Sequence, residues 1–216
     1  MKIEILRRIP FSELEDMIRR VPLKGKTPEG KDILVYQHAR IALKQLEAGE
    51  VNPTTFYLVR KNMDVQREIR ACLRAEHGID SLQLDGALEI QNDQGEVWTL
   101  TPPIVEFTSR IVHYVAQQGE KECERNVKIA IPIVNDGAHR VALARDLGVP
   151  FNAVVISGAL EAFLFYAHPN AWDEVRLVDA VPAQREEKKL YIRDDCYFLY
   201  RDFGVLGCGA PRSPHK

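Results

Sequence analysis

Residues 132–159 limit the fold of this chain more than any other stretch, because they read as strand, turn, helix and strand in close succession. The run 127–134 is apolar and rich in β-branched side chains, which favour a pleated sheet. Asn135-Asp136-Gly137 breaks that pattern, and 138–147 then carries Val141, Ala144 and Leu147 at helical spacing before Gly148 stops it. The apolar run 153–157 follows at once. So short a connection predicts both strands in one sheet, as a parallel pair with a right-handed crossover.

The turn has the chemistry of an anion site. Asp136 is placed to cap the helix, and Gly137 permits a sharp turn or a close backbone approach to a ligand. The first N–H groups of a helix have no intrahelical partners and lie at the positive end of its dipole. His139 and Arg140 fall in the same first turn, a titratable donor beside a forked guanidinium suited to phosphate or carboxylate. The competing interpretation is an ordinary joint, a capped helix with a solvated arginine.

Elsewhere the pattern is coarser. Ser12-Glu13-Leu14-Glu15 has capping-box form, and Leu14, Met17, Ile18 and Val21 continue it as a short amphipathic helix. A loop over 22–31 leads to a second expected helix, 37–48, closed by Gly49. A short strand is expected over 55–59, then a helix capped by Asp64 and ended by Gly78. Asn92-Asp93-Gln94-Gly95 separates two strand-like runs as a hairpin. Thr101-Pro102-Pro103 reads as a helix opening, with Ile104, Phe107, Ile111 and Val115 turned inward to about residue 118. A further helix over 161–167 and a strand over 176–181 are expected, and the aromatic run 197–203 should pack back on the body.

With 216 residues the chain has room for one domain with extensions or two small ones. The expected organisation is α+β: a mainly helical region over 1–79, a mixed-sheet core with helices over 80–206, and a flexible tail over 207–216. The 29 Lys and Arg against 31 Asp and Glu argue against a dedicated nucleic-acid binder. Cys72, Cys123, Cys196 and Cys208 are too far apart in sequence for a zinc pair. Residues 1–9 are short and charged, unlike a signal peptide, and no apolar run approaches the ~20 residues needed to span a bilayer. A cytoplasmic protein with reduced thiols is expected.

The stretch Pro-Ile-Val-Asn-Asp-Gly-Ala-His-Arg-Val-Ala-Leu-Ala-Arg-Asp-Leu-Gly-Val-Pro, 132–150, with the Val/Ile strand after it, resembles the core of the ParB/sulfiredoxin superfamily. The resemblance covers about 30 residues and implies a mixed sheet with a D-G-x-H-R turn at its edge. Sulfiredoxins carry a reactive cysteine where this chain has Ala138. Chromosome-partitioning ParB proteins continue into a helix-turn-helix domain, for which the residues after Val181 are too few. The free serine kinases of the superfamily, with D-G-H-H-R, are nearest in motif. Asp136, Gly137, His139 and Arg140 match them, and Ala138 replaces their first His.

That resemblance implies a phosphotransferase that holds a nucleotide, ADP or ATP, with magnesium, and acts on a small hydroxyl-bearing molecule. Gly137, Ala138, His139 and Arg140 would bind phosphate, and Asp136 and His139 would be catalytic. The metal ligands stay unnamed. The alternative is a nucleotide-sensing or DNA-associated accessory protein using the same turn without turnover.

Two weaker candidates lie elsewhere. Glu106, Arg110, His113 and Gln117 share one face of the helix expected over 102–118, either a second acid–base site or its solvated side. Arg67, Arg70 and Arg74, near Arg60 and Lys61, form a stripe open to nucleic acid, diluted by Glu68 and Glu76. Cys208 between glycines and the His168-Pro169-Asn170 turn carry no chemistry of their own.

Overall fold

The computed structural model describes residues 2–118 and 121–208. Among them the order of elements is β1 (Ile3–Pro10), α1 (Phe11–Arg19), β2 (Arg40–Leu46), β3 (Tyr57–Val59), α2 (Arg60–His77), β4 (Gly86–Asn92), β5 (Val97–Leu100), β6 (Ile104–Gln118), β7 (Lys121–Asp136), α3 (Ala138–Leu147), β8 (Phe151–Ser157) and β9 (Arg176–Val178). The strands form three sheets, β1-β4-β5, β2-β8-β6-β7 and the short parallel pair β3-β9, giving an α+β fold.

The four-stranded sheet explains why β8 is apolar throughout. β8 pairs with β2 along its whole length and with Ile104–Glu106 of β6, so it is central. Side chains alternate across a strand, and both faces of β8 are covered. Phe151, Ala153 and Val155 pack with Val105, Val134, Val141 and Ala144, the α3 side. Val154 and Ile156 pack with Ile104 and with Leu14 and Ile18 of α1. The three-stranded sheet is covered by α2, whose Ile69 and Leu73 pack on Ile3, Leu88, Ile90 and Leu100.

Several expectations hold: the helix ending at Gly78, the hairpin about 92–95, and α3 stopped by Gly148, both glycines being left-handed. Others fail for identifiable reasons. Residues 104–118 are strand, not helix: β6 pairs with β7 over its full length. Ile104, Phe107, Ile111 and Val115 fit a helical period, but Val105, Thr108, Ile111, Val112 and Val115 are β-branched and favour the sheet. Within 37–48 the helix-forming residues of β2 are held as strand by pairing with β8, tertiary structure overriding propensity. Residues 161–167 form no helix but an irregular segment that buries Phe165, Tyr166 and Ala167. β7 and β8 share the sheet but run in opposite directions with β6 between them, since β6 is antiparallel to β7 and parallel to β8. The capping box is not formed, because α1 begins at Phe11 directly after β1 and has no side-chain cap.

The region 1–79 contains α1 and α2 together with β1, β2 and β3, and its strands cross residue 79 to pair with β4, β8 and β9. Leu199, Phe203 and Leu206 are buried, so the aromatic C-terminal run does pack back. Gly207 and Cys208 continue that packing: the Gly207 carbonyl accepts the Thr99 N–H at 2.9 Å. The remainder of the expected tail, from residue 209, lies outside the described residues.

Candidate functional site

β7 delivers the chain to Asp136, and Gly137 starts α3 with a left-handed φ of 84°. This glycine has two reasons to be glycine. A Cβ there would meet Arg140 Nη2 at 2.8 Å and Pro103 Cα at 3.0 Å, in a backbone conformation that L residues resist. The Arg140 and Val141 N–H groups both bond to the Gly137 carbonyl, and α3 has no side-chain cap. The Ala138 and His139 N–H groups at the start of the helix therefore stay outside its ladder, as an anion site requires.

Asp136, Gly137, His139 and Arg140 line one wall of a cleft of about 810 Å³. The opposite walls come from the first half of α2, through Lys61, Asn62, Val65 and Gln66, and from the β4–β5 hairpin, through Asp93, Glu96 and Trp98. The sequence pattern named Lys61 only beside a stripe open to nucleic acid and did not join these walls to the turn, because helix, hairpin and turn meet only in three dimensions. Gln66, on this wall, has a buried Oε1 with no hydrogen-bond partner among the described residues.

The turn's side chains divide their work. Arg140 is buried, donating from Nη1 to the Thr101 carbonyl and from Nη2 to Asp136 Oδ2 at 3.2 Å. It braces the turn from beneath. His139 Nε2 accepts the Val59 N–H at 3.1 Å, tying α3 to the start of α2 and leaving Nδ1 to carry the proton of the neutral ring. Burial pushes the His139 pKa below its ordinary value and the Arg140 charge pushes the same way, with Asp136 opposing.

Glu106, Arg110 and His113 do not form a second acid–base face. Glu106 and Arg110 project from one side of β6, and His113 from the other. Glu106 is buried in a saturated network. Its Oε1 accepts Arg201 Nη2 at 2.7 Å, and its Oε2 accepts the Tyr36 hydroxyl at 2.5 Å, Asn135 Nδ2 at 3.0 Å and Arg201 Nε at 3.1 Å. Arg201 also donates to the Phe163, Leu164 and Leu199 carbonyls, so the pair is a lock holding the C-terminal segment to the sheet. The basic stripe on α2 is not free charge either. Arg67 pairs with Asp64 and Asp146, Arg70 with Asp80 at 2.7 Å, and Arg60 with Asp179. Cys208 packs against Thr101, and burial pushes its thiol pKa up to about 12.

Among the described residues no helix is long and apolar enough to cross a membrane, and no three His, Cys, Asp or Glu side chains are grouped to hold a metal ion. A mixed sheet that feeds a glycine-initiated helix at the edge of a cleft makes this an α+β domain. The family model of the ParB CE domain matches residues 13–176, and the chain belongs to that family. No curated protein and no solved structure was found to match it.

Proposed function

We propose that the cleft binds a nucleotide, ADP or ATP, through its phosphates, and transfers a phosphoryl group to a small hydroxyl-bearing molecule. The observation that carries this reading is the pair of N–H groups, Ala138 and His139, left outside the α3 ladder where the turn borders the cleft. Lys61 on the facing helix adds a cation with no ion pair among the described residues, and the Nδ1–H of His139 a neutral donor. The cleft volume falls within the 300–1,000 Å³ typical of small-molecule sites.

Magnesium commonly binds through one or two carboxylates with the substrate's phosphates completing its shell. Asp93 and Glu96, on the hairpin, are the cleft carboxylates that would hold it beside the phosphates. The ion would offset phosphate charge. In the transfer, the substrate oxygen forms a bond to the terminal phosphorus as the bond to the nucleotide's bridging oxygen breaks, and the hydroxyl proton passes to Asp136. Arg140 keeps Asp136 oriented without reaching the phosphate itself.

Thermal unfolding against ADP, ATP, CTP, GTP and inorganic phosphate, each with magnesium, tests binding. A ligand of the folded state at a hundredfold excess over its Kd adds about 2.7 kcal/mol of stability. A shift with one nucleotide, weakened in Lys61→Gln, supports the site; no shift with any of them removes it. Asp136→Asn should bind but not turn over, read as nucleotide product formed with a panel of small alcohols. The Asp136–Arg140 ion pair favours a second reading, nucleotide sensing without turnover, because it occupies one oxygen of the carboxylate that would take the proton. Binding with no product from any alcohol would select it.

A further inference from the structure

A second cavity, of about 430 Å³, lies on the other side of the sheet's edge, where β6 runs on past its last pairing with β8 and the segment after β8 folds across it. Its walls are mostly apolar: Phe107, Ile111, Ala159, Leu160, Phe163 and Leu164. Ile111, Leu160 and Leu164 keep 64%, 45% and 46% exposure at its rim, so the apolar surface is open to an arriving molecule.

The charges in this cavity do not cancel. Glu106 is on its wall, but both carboxylate oxygens are taken by Arg201, Tyr36 and Asn135. Lys128 is paired with Glu161. That leaves Arg110, half-buried, whose hydrogen bonds among the described residues are all long: Thr108 Oγ1 and the Ser109, Phe165 and Ala167 carbonyls, each at 3.4 Å. No carboxylate lies within ion-pair distance of its guanidinium among the described residues. A half-buried cation served only by distant neutral oxygens is costly. Burial lowers the pKa of Arg110, with the Glu106 charge opposing and the Arg201 charge adding to it, and the pKa of His168 is lowered by burial and then by Arg110.

We propose that this cavity binds a small monocarboxylate with an apolar body, its carboxylate paired with Arg110 and its body against Leu160, Phe163 and Leu164. Arginine takes a carboxylate through two parallel hydrogen bonds, which discriminates against alcohols, amides and amines of the same shape. The site is separate from the nucleotide cleft and does not depend on it, since the two share no lining residue.

The probe is octanoate, with octanol and octylamine as its neutral and cationic counterparts, titrated into the full chain by calorimetry and thermal unfolding. Octanoate should bind at least tenfold more tightly than octanol, and octylamine should not bind. Arg110→Met should abolish the preference for octanoate over octanol while the protein stays folded, and saturating ATP should not displace octanoate. Equal binding of octanoate and octanol, no binding of octanoate at millimolar concentration, or undiminished octanoate affinity in Arg110→Met would each overturn the proposal. If Arg110→Met does not fold, the comparison of the three probes on the unaltered chain still decides it.

Discussion

Gly137 and Gly148 bracket α3, and replacing each by alanine separates backbone strain from close packing. Both have left-handed φ, 84° and 61°, so each alanine bears the conformational cost of that region, about 1–2 kcal/mol. Their surroundings differ. At Gly148 a new Cβ meets nothing within 4 Å, whereas at Gly137 it meets Arg140 Nη2 at 2.8 Å, Pro103 Cα at 3.0 Å and Pro103 Cβ at 3.1 Å. The Pro103 backbone cannot move freely, because its carbonyl accepts the Val154 N–H of the central strand at 2.9 Å. Arg140 is held by Thr101 and Asp136. Overpacking of a fixed site costs about 1–3 kcal/mol more. Gly148→Ala should therefore destabilise by about 1–2 kcal/mol and Gly137→Ala by about 2–5 kcal/mol. Urea unfolding with linear extrapolation measures both, with an unchanged m-value as the check that the denatured state is unaltered. If the two variants agree within about 0.5 kcal/mol, the packing of Gly137 on Pro103 and Arg140 is wrong, and with it the rigidity claimed for the turn.

Three further outcomes are expected. Arg201→Met, which strands the buried Glu106 carboxylate, should cost about 3–5 kcal/mol, and adding Glu106→Leu should recover much of it, since removing both charges leaves none unpaired; a double variant less stable than Arg201→Met would refute this. His139 has a lowered folded pKa, so the unfolded chain binds more protons just below pH 6.5, and stability should fall as pH drops through that range; His139→Gln should flatten that slope, and a ring titrating at or above the ordinary value by NMR would contradict it. Cys208, with its thiol pKa pushed up to about 12, should be inert to a disulfide reagent at pH 8 in the native chain, so Cys208→Ala should not change the native thiol count.

What could be read in the sequence was local, and what could not was tertiary. The α3 segment carries its own start and stop in Gly137 and Gly148, so its limits followed from the residues alone. β6 carries no such marks. Its Ile104, Phe107, Ile111 and Val115 satisfy a helical stripe, while its β-branched residues favour a strand, and pairing with β7 settles the conflict. The same error put Glu106, Arg110 and His113 on one helix face. Once the element is a strand, Glu106 belongs to a buried lock with Arg201, a partner 95 positions away. Arg140 shows the limit of motif reasoning more sharply: its type and spacing fit a phosphate ligand, yet the fold turns it inward to Thr101 and Asp136. The candidate site survives that reversal because its donors are backbone N–H groups, which depend on the geometry of Gly137 rather than on a guanidinium.

The charges around the cleft carry the argument one step further. Asp136 and Arg140 offset one another, and Lys61 offsets one of Asp93 and Glu96, so the lining is slightly negative. Fixed side-chain charge alone would then repel a triphosphate at this short range, well inside the Debye length of about 8 Å at physiological salt. Under the proposed nucleotide reading, two terms would reverse the sign: the positive end of α3, effective over its first turn, and a divalent ion that Asp93 or Glu96 would hold, offsetting phosphate charge. Nucleotide affinity should accordingly depend steeply on magnesium, and Glu96→Gln should weaken that dependence without altering the affinity for inorganic phosphate at the turn. A nucleotide bound equally well with and without magnesium would place its phosphates away from the hairpin, on the α2 side of the cleft beside Lys61.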